Sequence, residues 1–191
     1  MAGRMLIRLF VAAALAAGSP LAVADSLGEA LGYKYERSAA ALRDGRWDAY
    51  ATGYAWHAPW AYDKDKRDQL NSAALGGGLG RSVVDANGDT HSLYAMAFRD
   101  SHYKPQYTAG YAWMTYWPGK YVDIGLGYTV FLFARSDIAH YAPLPLAGPL
   151  ASIRRGDLEL MATAVPGIAH DSGNIAFVFI RWSPDSKIGG K

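Results

Sequence analysis

The hydrophobic pattern of the chain changes character at about residue 48. Before it, residues 26–47 repeat apolar side chains at helical spacing with charges between them, which predicts a helix. After it, short apolar segments alternate like β-strands and are separated by turn residues. We count eight such segments: 48–57, 75–84, 90–99, 107–116, 123–134, 147–154, 157–165 and 174–182.

The connections between these segments alternate between longer and tight ones. The second connection carries Asn87-Gly88, a strong hairpin signal. Eight strands with long loops at one end and short turns at the other are typical of an outer-membrane barrel. The pattern therefore predicts an all-β fold: an eight-stranded antiparallel transmembrane β-barrel over 48–182, preceded by an N-terminal amphipathic helix. A soluble eight-stranded barrel of lipocalin type is the alternative.

The N-terminus has the pattern of a secretory signal. Arg4 and Arg8 precede an apolar run, and small residues follow before Asp25. The run is far shorter than the ~20 apolar residues of a spanning helix. We expect a signal peptide at 1–24 and the amphipathic helix at 25–47, which either lies on a membrane surface or caps the domain. Residues 183–191 form a polar C-terminal tail.

Composition narrows the choice of function. The net charge of +2 gives no argument for nucleic-acid binding. The chain has no cysteine, which excludes disulfides, cysteine metal sites and a thiol nucleophile. Charged residues make up 19% of the chain, below the usual ~25%, and leave little charge for a water-facing surface.

The inward-facing rows of the predicted strands carry no charge in the segments 90–99, 107–116 and 123–134. Small and apolar residues mix there, as in a dry cavity that would bind a hydrocarbon chain. A barrel filled completely by its own side chains is the alternative. The candidate acyl-pocket residues are Tyr94, Met96, Gly110, Ala112, Met114 and Phe131.

Three residues with acid–base or nucleophilic chemistry end two of the outward-running strands. His57 closes the first strand, and Asp100 and Ser101 follow the third, so all three reach one rim of the barrel. A His serves as general base, and a Ser hydroxyl becomes reactive beside such a base. An Asp can orient the imidazole. A rim of solvated polar residues is the alternative.

Several long motifs resemble the lipid A palmitoyltransferase (PagP) family. They include "WHAPWAYDKDK", "GGGLGRS", "LYAMAFRDSHYKPQYTAGYAW" and "PLPLAGPLAS". The resemblance implies an outer-membrane acyltransferase that moves an acyl chain from the sn-1 position of a phospholipid donor to a hydroxyacyl chain of a lipid A acceptor. It implies no metal and no cofactor; monomer and homodimer are both compatible. A non-catalytic lipid-binding or structural barrel is the alternative function.

The resemblance also implies roles for individual residues. His57 would transfer protons, Ser101 would supply a hydroxyl or align the substrate, and Asp100 would orient and contribute charge. Ala112 stands where the family has a Gly that sets acyl-chain length. Pro149 and Pro166 match a proline pair that flanks a lateral gate.

Two further departures from the family pattern lead to expectations. A second family proline pair falls on Thr52 and Ala74, so we expect the opening between the first two strands to be better sealed. A family Arg on the second strand is absent, and Arg81 is the candidate to replace it opposite Asp48. Pro143 and Pro145 are expected to lie in a loop.

Overall fold

Two helices, a short 3₁₀ helix and eight strands form the described part of the chain. The computed structural model describes residues 20–165 and 174–184. The helices are α1 (Pro20–Asp44), α2 (Lys64–Asp68) and a 3₁₀ helix at Ala139–Tyr141. The strands are β1 (Arg46–His57), β2 (Ala73–Val84), β3 (Thr90–Arg99), β4 (Pro105–Trp117), β5 (Asp123–Arg135), β6 (Leu144–Arg155), β7 (Leu158–Val165) and β8 (Ile175–Trp182).

The eight strands form a closed antiparallel barrel in sequence order. β1 pairs with β8 as well as with β2, which leaves no free edge between first and last strand. The predicted fold class is thus confirmed, and every predicted strand is present. The largest difference is in β6, which begins at Leu144 and includes Pro145, so the expectation of a loop at Pro145 was wrong. The segment contains two prolines, which are rare inside strands, so its sequence did not predict the full length of β6.

The strands alternate as a membrane barrel requires. On β5, Ile124, Leu126 and Val130 point outward and are about half exposed, while Gly125 and Thr129 on the other face are buried. Large apolar side chains on the outer surface suit contact with lipid. The β2–β3 turn has the predicted hairpin geometry, with Gly88 at φ +85°, a conformation that glycine adopts without strain.

The N-terminal region divides between two compact units, one ending at Glu36 and the other beginning at Arg37. Within the first unit, Leu27, Leu31 and Tyr35 recur at four-residue spacing on α1 and are exposed. No helix in residues 20–165 and 174–184 has both the length and the apolar content needed to span a bilayer. The predicted signal peptide falls largely on residues 1–19, and the predicted tail largely on 185–191, outside the described residues.

The lower half of the barrel interior, at the end opposite His57, contains buried charges. Asp48, Glu159 and Arg181 point inward and are nearly inaccessible. The Arg181 guanidinium pairs with Glu159 and donates to Tyr116 Oη at 3.0 Å. The expectation of an uncharged interior was therefore wrong for this half. It rested on β3, β4 and β5, whose rows are uncharged, whereas the charges come from β1, β7 and β8.

Arg81 does not lie opposite Asp48. Its Nε donates to the Gly45 carbonyl at 2.9 Å and its Nη1 to the Leu42 carbonyl at 2.8 Å. These are carbonyls at the C-terminus of α1, which a cation stabilises. Asp48 instead accepts a hydrogen bond from Ser183 Oγ and lies 3.8 Å from Arg46 Nε.

Candidate functional site

The end of β1 places His57 at the barrel rim, under the loop that follows the strand. The imidazole is 3% exposed and meets the Tyr62 ring edge-on, with ring centroids 5.4 Å apart. Tyr62 belongs to a small apolar cluster with Ala58 and Ala61, and Leu70 packs against it. The loop 58–72 thus packs against the imidazole and limits its motion.

The imidazole of His57 contacts the hydroxyl of Ser101. His57 Nε2 and Ser101 Oγ lie 2.9 Å apart, and both residues are buried. When Nε2 is unprotonated, the hydroxyl donates to it, which is the geometry a general base needs to take a proton from an oxygen. The structure brings together at one rim the two residues that the sequence placed there.

Asp100 lies beside Ser101 but its carboxylate points elsewhere. Asp100 Oδ1 accepts hydrogen bonds from the backbone N–H groups of His102 and Lys104, each at 2.8 Å. Within the described residues, no hydrogen bond joins this carboxylate to His57. Asp100 therefore shapes the turn that carries Ser101, whereas the sequence had suggested that it orients the imidazole.

Asn71 is a member of this site that the sequence did not identify. Its backbone N–H donates to the Ser101 carbonyl at 2.9 Å, and its Nδ2 donates to the Asp100 carbonyl at 3.3 Å. A second bond from Nδ2 reaches the Ala73 carbonyl at 2.9 Å. Asn71 therefore links the loop after β1 to the turn after β3, and a lone Asn in a polar loop gives no sequence signal of that role.

A cluster of charged side chains adjoins this turn. Ligand atoms of Asp100, His102 and Asp137 all lie within 4.8 Å of one another, a spacing that a metal ion could bridge. Arg135 Nη2 lies among them, 3.4 Å from Asp100 Oδ2, 3.4 Å from His102 Nδ1 and 2.8 Å from Asp137 Oδ2. The guanidinium thus supplies the positive charge that this cluster needs.

The Arg135–Asp137 pair is itself well formed. Arg135 Nε donates to Asp137 Oδ1 at 3.0 Å and Nη2 donates to Oδ2 at 2.8 Å, a two-bond arrangement typical of strong Arg–carboxylate pairs. Burial acts to raise the pKa of Asp137, but the hydrogen bond and charge of Arg135 hold it below its ordinary value.

A cavity of about 480 Å³ extends from this rim into the barrel. Its volume lies in the usual range of about 300–1,000 Å³ for small-ligand sites. Its mouth includes Asp100, Ser101 and Arg135, and its walls are mostly apolar. The wall residues include Met96, Phe98, Phe131, Phe133, Leu146, Leu150, Phe177 and Phe179.

Four of the six predicted pocket residues line this cavity: Tyr94, Met96, Ala112 and Phe131. Gly110 and Met114 do not. A Cβ on Gly110 would lie 2.5 Å from the Phe131 Cβ, so this glycine permits close strand packing and leaves no cavity wall. Met114 is 1% exposed and belongs to the packed core, two residues beyond Ala112 on β4. The alternating pattern correctly placed Gly110 and Met114 on the inner face of β4. It could not predict the depth at which the cavity ends.

The floor of the cavity is polar. Ala112 pairs in register with Ser92 on β3 and with Thr129 on β5, and all three line the cavity. Arg181 also lines it and donates through Nη1 to Ser92 Oγ at 3.1 Å. An apolar chain that enters from the rim therefore meets the methyl group of Ala112 at the level where the wall becomes polar.

The described part of the β6–β7 ladder is shorter than the β5–β6 ladder. β6 pairs with β7 only from Leu150 onward, where Leu150 lies opposite Thr163. Among the described residues, positions 144–149 of β6 have ladder partners on β5 only, and the structure does not describe residues 166–173, which follow β7. Pro149 lies at the boundary, and its carbonyl accepts a bond from Thr163 Oγ1 at 2.9 Å. Pro166, its predicted partner, lies outside the described residues.

The junction between β1 and β2 is closed by a side chain. The β1 register shifts between Thr52 and Tyr54, and there Thr52 Oγ1 donates to the Ala74 carbonyl at 2.6 Å. This hydrogen bond joins the two positions at which the resemblance led us to expect a better seal. Within the described residues, the β6–β7 ladder thus ends at the Leu150–Thr163 pair, and a side-chain hydrogen bond joins β1 to β2.

Comparisons with known proteins identify the family of this chain. A family model described as "Antimicrobial peptide resistance and lipid A acylation protein PagP" matches residues 37–181. The chain is 44% identical over 141 residues to the lipid A acyltransferase PagP of Laribacter hongkongensis, covering 73% of this chain and 68% of that protein.

Two further relatives bear the same description. The protein of Bordetella pertussis is 46% identical over 136 residues, covering 71% of this chain and 74% of its own length. That of Cronobacter turicensis is 42% identical over 137 residues, covering 70% of each chain. The whole rim cluster, from His57 to Asp137, lies inside the range that the family model matches.

Proposed function

This chain belongs to the PagP family, and on that premise we propose that it is an outer-membrane lipid A acyltransferase. The donor is a phospholipid, whose sn-1 acyl chain moves to a hydroxyacyl chain of lipid A, as in a palmitoyltransferase. Residues 1–24 act as its signal peptide, the part of α1 from residue 25 onward lies on the membrane surface, and the barrel over 48–182 spans the bilayer.

The observation that carries this proposal is the position of the His57–Ser101 contact at the mouth of an apolar cavity. The 2.9 Å contact and the 480 Å³ cavity share Ser101 as a boundary residue. An acyl chain that fills the cavity would leave its ester carbonyl at this mouth. Binding the tail thus brings the reactive bond to the acid–base pair, which is the advantage of orientation in catalysis.

The acid–base chemistry follows from this arrangement. His57 Nε2 takes the proton as a hydroxyl oxygen attacks the donor ester carbonyl, and it returns the proton to the departing glycerol oxygen. The attacking hydroxyl is that of lipid A, aligned by Ser101, or that of Ser101 itself in a two-step exchange. One ester bond forms and one breaks, so the exchange requires no cofactor.

The donor reaches the cavity by a lateral route at the β6–β7 junction. Proline donates no backbone hydrogen bond, so Pro149 cannot donate to a neighbouring strand, and the resemblance implies the same role for Pro166. Leu144 and Leu146, which precede the described β6–β7 ladder, line the cavity. These residues support passage of an acyl tail from the bilayer between the two strands.

The test uses the full chain in vesicles that contain lipid A and a phospholipid with an isotope label in its sn-1 chain. Mass spectrometry should show labelled acyl mass on lipid A with the wild-type chain and none with His57→Asn. The matched control is His140→Asn, an exposed loop His at φ +50°, a conformation that Asn tolerates. This control should keep full activity.

Other outcomes identify the alternatives. Unchanged lipid A with both wild type and His57→Asn, together with retained phospholipid binding, would indicate a non-catalytic lipid-binding barrel. Release of free labelled acid without labelled lipid A would indicate a phospholipase with water as acceptor. Label arriving from the sn-2 position would contradict the proposed donor position.

A further inference from the structure

Two loops at the barrel rim meet at the Arg135 guanidinium. Arg135 is the last residue of β5, and Asp137 follows it in the β5–β6 loop, while Asp100 begins the turn after β3. The guanidinium contacts both carboxylates and borders the mouth of the cavity. Its side chain is 13% exposed, so it is held within this contact set rather than extended into solvent.

The Asp100 carboxylate depends on this cation for its charge balance. Its Oδ1 atom accepts from two backbone N–H groups, while Oδ2 is buried and accepts no hydrogen bond from the residues that the structure describes. Among the described residues, Arg135 Nη2 at 3.4 Å is the cationic atom that forms an ion pair with Oδ2. A buried carboxylate without a compensating positive charge is strongly unfavourable.

Asp137 fixes the orientation of the guanidinium. Its two oxygens accept from Nε and Nη2, and the same Nη2 atom faces the Asp100 carboxylate at 3.4 Å. A lysine ammonium cannot make this paired contact from one plane. Asp137 therefore contacts Arg135, and Arg135 contacts Asp100. Ser101 is the residue that follows Asp100 in the sequence.

We propose that Arg135 is a positioning residue that holds the Asp100 turn so that Ser101 meets His57, with Asp137 orienting its guanidinium. The inference deepens the proposed function and rests on it. Without the guanidinium, Asp100 Oδ2 would be a buried charge lacking its partner. The turn 100–104 would then rearrange to hydrate that oxygen, and the adjacent Ser101 hydroxyl would leave Nε2.

The test compares acyl transfer by full-length Arg135→Gln, Arg135→Lys and the control Arg155→Gln in lipid A vesicles. Arg155 is exposed at the opposite end of the barrel. We expect kcat to fall about tenfold or more for Arg135→Gln and less for Arg135→Lys, with KM for the phospholipid nearly unchanged. Full activity in Arg135→Gln, or a change confined to KM, would overturn the inference.

A double-mutant cycle with Asp100→Asn separates positioning from a general structural role. Asp100→Asn removes the charge that Arg135 balances, so adding Arg135→Gln should reduce kcat by less than about twofold more. If the kcat of the double variant falls by the product of the two single-variant losses, Arg135 does not act through Asp100.

Heat-modifiable migration on gels reports whether each variant has formed the barrel. If Arg135→Gln does not fold, Asp137→Asn tests the same inference. It keeps the Arg135 guanidinium but weakens the carboxylate contact that orients it. That variant should lose part of kcat, and full activity would overturn the inference. Absence of transfer by the wild-type chain would instead refute the proposed function.

Discussion

The backbone N–H of Asn71 donates to the carbonyl oxygen of Ser101 at 2.9 Å. Through this bond and the side-chain bond to Asp100, the loop that covers His57 is joined to the turn that carries the hydroxyl. The distance between the two reactive groups is therefore set by a residue that takes no part in the proposed chemistry.

Replacing Asn71 with Ala should reduce acyl transfer. The change removes the side-chain bonds to the Asp100 and Ala73 carbonyls, each contributing about 0.5–1.5 kcal/mol to the local structure. We expect kcat to fall about tenfold while phospholipid binding persists. Gln69→Ala, in an exposed position on the same loop, is the control. Equal rates for both variants would show that Asn71 does not set the His57–Ser101 distance.

Replacing Ala112 with Gly should lengthen the preferred acyl chain by about one carbon. Ala112 lines the cavity at its polar floor, so removing its methyl group adds depth for about one CH₂, worth ~0.8 kcal/mol of apolar burial. That free energy corresponds to a preference of about fourfold. Competition between phospholipids of different chain length, read by lipid A mass spectrometry, measures it.

The control for the Ala112 experiment is Ala109→Gly, a lipid-facing position on the same strand. This variant has the same loss of strand propensity as Ala112→Gly, but position 109 does not line the cavity. Its preferred acyl-chain length should therefore match that of the wild type. Identical chain lengths from Ala112→Gly and wild type would show that the floor lies elsewhere.

Locking the β6–β7 junction should block the reaction. The chain has no cysteine, so Gly148→Cys with Val165→Cys can form only one disulfide, at positions that a continued β6–β7 register would place opposite each other. Oxidation should abolish transfer, and reduction should restore it. The control pair is Ala109→Cys with Leu132→Cys, which are opposite on β4 and β5. Full activity of the oxidised β6–β7 pair would exclude this junction as the route.

Replacing Glu159 with Gln should destabilise the barrel. Glu159 is 1% exposed and pairs with Arg181, so the change leaves a buried guanidinium short of its main partner, at a cost of about 3–5 kcal/mol. Urea unfolding in lipid vesicles measures this loss. Glu36→Gln, at an exposed helix position, should leave the free energy of unfolding unchanged.

The strand pattern could be predicted from sequence because the outer surface and the interior of a barrel impose a period of two on its strands. The outward row of β5 shows this directly, and the Asn87-Gly88 turn identified one hairpin without any tertiary information. Placing His57 and Ser101 at one rim followed from strand count and direction alone.

What could not be predicted depends on contacts between distant strands. Glu159 and Arg181 are ordinary surface residue types, and only the closed register shows that they face each other inside the barrel. Gly110 and Met114 share a face with Ala112, but packing against Phe131 and the core decides that they do not border the cavity. Arg135 contacts acidic side chains from two loops and Asn71 donates to backbone carbonyls, and neither kind of contact leaves a spacing pattern in the sequence.

The buried Asp48–Arg181–Glu159 group fills the barrel interior at the end opposite His57, so the cavity ends inside the barrel and forms no pore. Under the proposed outer-membrane location, many copies can therefore accumulate without opening a leak for ions or small solutes. Under the proposed transfer, fresh donor and spent lyso-lipid both use the half of the barrel above this group. Each turnover then waits for the previous lyso-lipid to leave, so we expect product departure rather than ester exchange to be the slowest step.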